Sequence, residues 1–267
     1  MIKSIEIVVC LLAFSAERTE QFVLPPRAAA APTGSTFLKR IESLGPVERE
    51  AAIQQEILAG NVPEFLRTLK AVEVTANDAK GQRHTAKLFV LCDYLAIGTD
   101  ADFFRMPMRP LTAQAIADAA GASLLTAKLS DDIYQQAELK LEPRPLTKDR
   151  EFPATFYQSH QIIEEQRQGK PLGLLVAGIK KDVVLTNRLS EKARRVAIYG
   201  WHRLDGKPIQ PLYVGHSDSH VDYSHGIRLM SRHIIVDGRT MDVDDVLKDP
   251  VLNILVSGEG PIVARYQ

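Results

Sequence analysis

The stretch Leu172-Gly173-Leu174-Leu175-Val176-Ala177-Gly178, followed by Asp182-Val183-Val184-Leu185-Thr186 and Arg195-Val196-Ala197-Ile198-Tyr199-Gly200, decides the fold class. Each piece is a short apolar run, bounded by turn residues and too brief for a helix. That is the pattern of buried strands. Leu212-Tyr213-Val214, Gly226–Met230 and His233–Val236 continue it, and Asp242–Leu247 reads as a short helix with an acidic cap. Upstream the character differs. Pro46 opens a helical stripe through Val47, Ala51, Ile53, Ile57 and Leu58, and Gly60-Asn61 stops it. Thr112–Ala120 reads as a helix capped by Thr112, and Ser130–Ala137 as one capped by Ser130. Ser159–Gln168 reads as a polar helix whose His160 and Glu164 share a solvated face. Two strands, Ala71–Ala76 and Thr85–Leu91, flank a turn-rich segment. The expected class is therefore α+β, with a helix-rich N-terminal half packed on a strand-rich, mostly antiparallel C-terminal half.

Composition narrows the function classes. The 267 residues carry 33 Lys+Arg and 33 Asp+Glu, for a formal net charge of zero. Such a chain lacks the global field that holds a phosphate backbone, so no nucleic-acid partner is expected. With 45% hydrophobic and 25% charged residues the chain is globular rather than disordered. Its two cysteines make no disulfide scaffold. Lys3 followed by the apolar run Ile5–Phe14 and small residues reads as a secretory signal over residues 1–16. That run is too short for an integral membrane span. Residues 17–36, with Ala28–Ala31, Pro32 and Gly34, read as a flexible spacer. A single domain would follow over 37–267, helical over 37–168 and β-rich over 169–267. The expected location is secreted or periplasmic.

Five of the seven histidines, His202, His216, His220, His225 and His233, fall in the last quarter of the chain. The densest segment is Gly215-His216-Ser217-Asp218-Ser219-His220-Val221-Asp222-Tyr223-Ser224-His225-Gly226-Ile227-Arg228. Imidazoles serve as acid, base or metal ligand near neutral pH. Three readings compete. In the first, metal-independent, His225 is the general acid/base, Asp222 orients it, Tyr223 or Tyr199 donates a proton and His202 completes the catalytic set. Arg228 then anchors an anionic group, with Trp201, His216, His220 and Ser224 lining the substrate. In the second, His216-x-x-x-His220 supplies two zinc ligands, with Asp218 or Asp222 as a third. No cofactor is needed on the first reading; zinc is the candidate on the second. In the third, the loop side chains satisfy buried backbone groups. Lys180-Lys181-Asp182 reads as a solvated turn, and Asp131-Asp132 as an acidic helix start.

Ser224-His225-Gly226-Ile227-Arg228 resembles the Ser-His-Gly-Cys-Ile/Val-Arg signature of the L,D-transpeptidases of peptidoglycan. The family's upstream Ile-His-Gly strand is matched by Ile198-Tyr199-Gly200, and the resemblance covers about 35 residues. The chain departs from the signature at its nucleophile, because Gly226 runs straight into Ile227 with no cysteine between. Tyr199 stands where the upstream histidine would be. The resemblance implies a related strand–turn–strand arrangement and a site for an anionic peptide or glycan, without thiolate chemistry. The expected function is an enzyme of hydrolase or lyase type on a cell-wall or extracellular polymer. The alternative is a non-catalytic peptidoglycan- or glycan-binding envelope protein, with Trp201, Tyr199 and Tyr213 as a stacking surface.

Overall fold

In a computed structural model the described residues are 22–267. The proposed signal segment 1–16 lies outside them. The first helices are α1 (Gly34–Ile41) and α2 (Pro46–Leu58), with Pro46 at the first turn as expected. A short 3-10 turn, Glu64–Leu66, leads into the hairpin β1 (Lys70–Asn77) and β2 (Arg83–Val90). Val72 and Val74 face inward on β1 while their neighbours face solvent, so alternation fixes the register Val72↔Leu88 and Val74↔Ala86. A second hairpin, β3 (Ala96–Thr99) and β4 (Asp102–Arg105), precedes α3 (Pro110–Ala119), β5 (Ala122–Thr126) and α4 (Ala127–Gln136). Next come β6 (Leu139–Lys140), α5 (Pro153–Arg167), β7 (Val176–Ala177), β8 (Lys181–Leu185) and α6 (Arg188–Glu191). The chain continues through β9 (Ile198–His202), β10 (Pro208–Tyr213), β11 (His225–Gly226) and β12 (Leu229–Ser231). It finishes with β13 (His233–Val236), β14 (Arg239–Asp242) and α7 (Val243–Lys248).

One sheet organises these elements, in the order β10-β9-β8-β5-β12-β2-β13-β14, with β1 added to β2 and β11 added to β8. Most pairings are antiparallel; β5 and β11 run parallel to β8, and β6 runs parallel to β7. The α+β class and the mostly antiparallel pairing agree with the sequence reading. Helices α2 to α5 lie within 37–168, α1 begins just before at Gly34, and strands β7 to β14 lie within 169–267, a split that roughly follows the sequence reading. The sheet nevertheless draws β1, β2 and β5 from the first segment, so the two halves share one core. Every residue of β5 and β8 is buried. Strands covered on both faces lose alternation, which explains why Ala122–Thr126 escapes a period-2 reading.

Several boundaries move for local reasons. Helix α3 starts at Pro110 rather than at Thr112, because proline at the first helical position lacks only an amide that would go unused. Helix α4 is capped by Thr126, whose Oγ1 accepts from the Leu129 amide at 3.2 Å, and Ser130 lies inside it. Residues expected as a flexible spacer are fixed from Phe22 on. Phe22 is buried and its amide donates to Arg67 O at 2.8 Å. Arg27 donates to Asn61 Oδ1 at 2.8 Å and to Ala31 O at 2.6 Å. No helix among the described residues is long and apolar enough to cross a membrane.

Gly226 is tightly enclosed beside the histidine loop by two buried side chains. A Cβ there would lie 2.5 Å from the Tyr94 ring and 2.6 Å from the Lys180 Cβ. Neither can retreat easily, since both residues are buried. Gly226→Ala is expected to lower unfolding stability by about 1–3 kcal/mol, the usual cost of overpacking. A urea denaturation midpoint equal to that of the unchanged protein would contradict this packing.

Candidate functional site

Three adjacent strands align the site. His225 on β11 is opposite Lys181 on β8, and Lys181 is opposite Gly200 on β9. The next row is Gly226, Asp182 and Tyr199. Side chains of successive residues leave opposite faces of a sheet, so the rows serve two different surfaces.

The His225 face carries the loop between β10 and β11. The His216 and His220 rings stack at 4.1 Å between centroids, and the His225 ring meets His220 edge-on at 5.6 Å. His216 and His220 are half-buried, while His225 is 1% exposed. Asp222 Oδ1 accepts from the Ser224 amide at 2.7 Å and from the Ser224 hydroxyl. Its Oδ2 accepts from Arg150 Nη2 at 2.5 Å and lies 3.9 Å from His220 Nε2. His220 Nδ1 lies 3.1 Å from Glu151 Oε1. Thus Arg150 and Glu151, from the segment before α5, form a second wall. That wall is pinned by the Tyr223 hydroxyl, which accepts from the Leu146 amide at 2.5 Å and donates to Leu146 O at 3.0 Å. Lys181 Nζ stands 5.2 Å from the Trp201 ring centre, and Trp201 meets Tyr223 edge-on.

Neither ring nitrogen of buried His225 has a hydrogen-bond partner, and the Trp201 indole nitrogen lacks one too. Burial pushes the His225 pKa well below the ordinary imidazole value, so the ring is neutral near pH 7 with a lone pair available. Burial opposes ionisation of Asp222. Its carboxyl nevertheless lies below the usual carboxylate range, because neighbouring cationic charge and the two Ser224 donors favour the anion. The geometry therefore brings a neutral nitrogen base and a carboxylate together without a hydrogen bond between their side chains.

The opposite row assembles a different group. His202 Nε2 lies 2.7 Å from Asp131 Oδ1, and the Tyr199 hydroxyl donates to the same carboxylate at 2.9 and 3.0 Å. Tyr134 stacks on His202 at 4.6 Å. On a regular strand Tyr199 and His202 would leave opposite faces. Gly200 and Trp201 both adopt positive φ, +100° and +55°, and this local turn returns His202 to the face of Tyr199. Asp131 lies inside α4 rather than at a helix start and serves as a polar partner, which the sequence reading missed because its partners lie 68 and 71 residues away.

The remaining expectations sort cleanly. Arg228 is fully buried; it donates from Nη1 to Leu91 O at 2.6 Å and from Nη2 to Val176 O, and covers the Tyr94 ring at 4.5 Å. It ties strands together and presents no free guanidinium to an incoming carboxylate. Trp201 is buried and Tyr199 is engaged with Asp131, so with Tyr213 they form no common stacking surface. His216 and His220 lie on a loop, and His220 groups with Asp222 and His225 rather than pairing with His216 as ligands. Asp218 points elsewhere, lying 3.6 Å from the Arg194 Nε. Lys180, Lys181 and Asp182 are buried at the head of β8, not in a solvated turn. His160 is likewise buried on α5, where Arg105 Nη1 lies 3.1 Å from its Nδ1. A cleft of about 390 Å³ borders the histidine loop through Asp218 and is lined by Lys192, Arg194, Arg195 and Arg265.

No protein family, curated protein or solved structure is found to match the chain. The functional reading therefore stands on this geometry.

Buried neutral histidines give the fold a pH dependence. Burial, reinforced by Arg105 and Lys180, holds His160 well below the ordinary value of 6.5, and burial holds His225 there also. Below about pH 6.5 the unfolded chain gains protons that the folded chain refuses. Stability is then lost as pH falls, by up to about 1.4 kcal/mol per pH unit for each such group. The free energy of unfolding should drop between pH 6.5 and 5, and His160→Gln should make that drop shallower. A flat profile in the unchanged protein would refute the assignment.

Proposed function

We propose that this chain is a secreted or periplasmic hydrolase of an anionic cell-wall or extracellular polymer, with its hydrolytic centre at His220, Asp222 and His225. One observation carries the reading. A fully buried imidazole, His225, keeps both ring nitrogens unpartnered beside a carboxylate. Buried polar groups are nearly always satisfied, and the exceptions concentrate where a ligand, ion or reacting water belongs. In this centre His225 and Asp222 are the groups that hold and activate the attacking water.

Hydrolase is favoured over lyase by the fate of two other groups. A lyase acting beside a carboxylate needs a free proton donor and a cation at that carboxylate. The Tyr223 hydroxyl is committed to Leu146, and the Arg228 guanidinium to two carbonyls. The cleft beside the loop supports a polymer bearing carboxylates through Lys192 and Arg195, while Arg194 and Arg265 already face Asp218 and Asp118. The buried position of Trp201 leaves the glycan-binding alternative without its central platform.

The test is product analysis on peptidoglycan and acidic polysaccharides by mass spectrometry. The unchanged protein should release water-added fragments. His225→Ala and Asp222→Asn should cut the rate by at least about 100-fold, the scale of losing an acid–base group. His233→Ala, an exposed histidine on β13, should leave it unchanged. Equal rates in all three variants, or no product from any such polymer, would sink the proposal.

A further inference from the structure

Among the described residues, one ring nitrogen of His220, one of His225 and one carboxylate oxygen of Asp222 lie within 4.8 Å of one another. We propose that these three side chains bind a divalent transition-metal ion, zinc by the character of the donors, at the centre described above. The inference rests on that centre being the functional site and adds the ion that works there.

Four features point to the ion. The first is the orphaned His225. A ring that is 1% exposed and donates to nothing keeps its lone pair for an acceptor that is missing from the protein itself. The second is Glu151. It holds His220 Nδ1 at 3.1 Å while Nε2 faces Asp222 Oδ2, which is how a carboxylate orients a histidine whose other nitrogen binds metal. The third is the fixed carboxylate. Ser224 occupies Oδ1 with two donors, so Oδ2 is the oxygen left toward the two rings. The fourth is Arg150, whose guanidinium already sits on that oxygen at 2.5 Å and shows that positive charge is drawn to the spot. Its side chain is 43% exposed, so solvent is at hand for the guanidinium when an ion displaces it from Asp222.

Donor chemistry selects the class of ion. Two imidazoles and one carboxylate suit zinc and its first-row neighbours, whereas calcium and magnesium prefer all-oxygen cages. Ligand atoms about 2.0–2.2 Å from a tetrahedral zinc stand about 3.3–3.6 Å apart. The three donor atoms, all within 4.8 Å of one another, therefore draw together by up to about an ångström, chiefly through rotation of the half-buried His220 ring. Asp222 and Glu151 supply two negative charges, balanced before an ion arrives by Arg150 and the Lys181 ammonium. Three protein ligands leave a position for water, the pattern of hydrolytic rather than structural zinc centres. The spacing His220-x-Asp222-x-x-His225 runs from the loop into β11, and it replaces the His216-x-x-x-His220 pair that one reading of the sequence offered.

The experiment uses the full-length chain, stripped with a chelator, dialysed and titrated with Zn²⁺ by calorimetry, with metal content measured by elemental analysis. One equivalent of zinc should bind. His220→Ala, Asp222→Ala and His225→Ala should each weaken it at least about 100-fold, and Glu151→Gln by about 10–100-fold, the range for a ligand-orienting group. His233→Ala should bind as the unchanged protein does. His220 is half-buried, so His220→Ala keeps the test decisive should the buried His225→Ala fail to fold, with circular dichroism as the check. Co²⁺ in place of zinc should give visible absorption bands of a four-coordinate site, lost in His220→Ala. No stoichiometric zinc, or affinity unchanged in His220→Ala, overturns the inference. Stoichiometric zinc without polymer hydrolysis upholds the metal site and removes the hydrolase reading. Chelator-resistant hydrolysis by metal-free protein does the reverse.

Discussion

The Arg228 guanidinium, buried between the end of β2, the β7 strand and the Tyr94 ring, is the contact on which the site depends. It joins Leu91 O and Val176 O, carbonyls of two segments that also meet through the Val176 amide on Cys92 O at 2.8 Å, and it sits two residues beyond Gly226. A buried cation is tolerable only where its hydrogen bonds and counter-charges are supplied. Asp182 and Asp93, both buried, feel its charge. Asp93 also takes a bidentate contact from buried Arg105, at 2.9 and 2.7 Å. The result is a charged layer under the sheet, with Lys180 added to it. Burial, then the like charge of Arg105, brings the Lys180 pKa down to about 7. Lys180 spends its donors on Ser159 Oγ, at 3.1 Å, and Tyr223 O, so the layer also holds the backbone of the histidine loop from beneath.

Above that layer the histidine loop has two supports of different kind. From below come strand register and the Lys180–Tyr223 contact, which fix where His225 emerges. From the side comes the segment before α5, whose Arg150 and Glu151 meet Asp222 and His220 directly. A site framed by both is pre-organised: Ser224, Tyr223 and Glu151 hold the polar groups in place before any ligand arrives. The Asp131–His202–Tyr199 group on the other face is self-satisfied by comparison, since each side chain has a partner in the group.

Much of the fold was legible because local rules and tertiary structure agree. The β1–β2 hairpin follows from alternation, and α2 and α7 from their proline and aspartate starts. The site was legible in outline, since the crowding of His216, His220, Asp222 and His225 is local in sequence. Its roles were less so. Arginine's planar fork fits carbonyl pairs as well as carboxylates, and no sequence signal distinguishes the two at Arg228. Lys180 and Lys181 carry the composition of a turn but the burial of a central strand. Glu151 and Arg150 lie about 70 residues from the loop they support, and nothing in their own neighbourhood announces it. The left-handed Trp201 was equally silent, because a bulky residue rarely adopts that conformation without tertiary compulsion.

Strand β12 has a consequence for how the chain reaches this structure. It lies between β2 and β5, so the middle of the sheet is completed by Leu229–Ser231, more than a hundred residues after β5. Until that segment arrives, β2 and β5 must each wait with an open edge, and no N-terminal fragment ending before it can close the sheet. Such non-local closure makes folding slow and leaves unpaired edges exposed to other chains in the interval. The last strands to be synthesised are therefore the ones that seal the oldest part of the core. Residues His225 to Ser231, which carry the site and the central strand together, cannot do one job before the other.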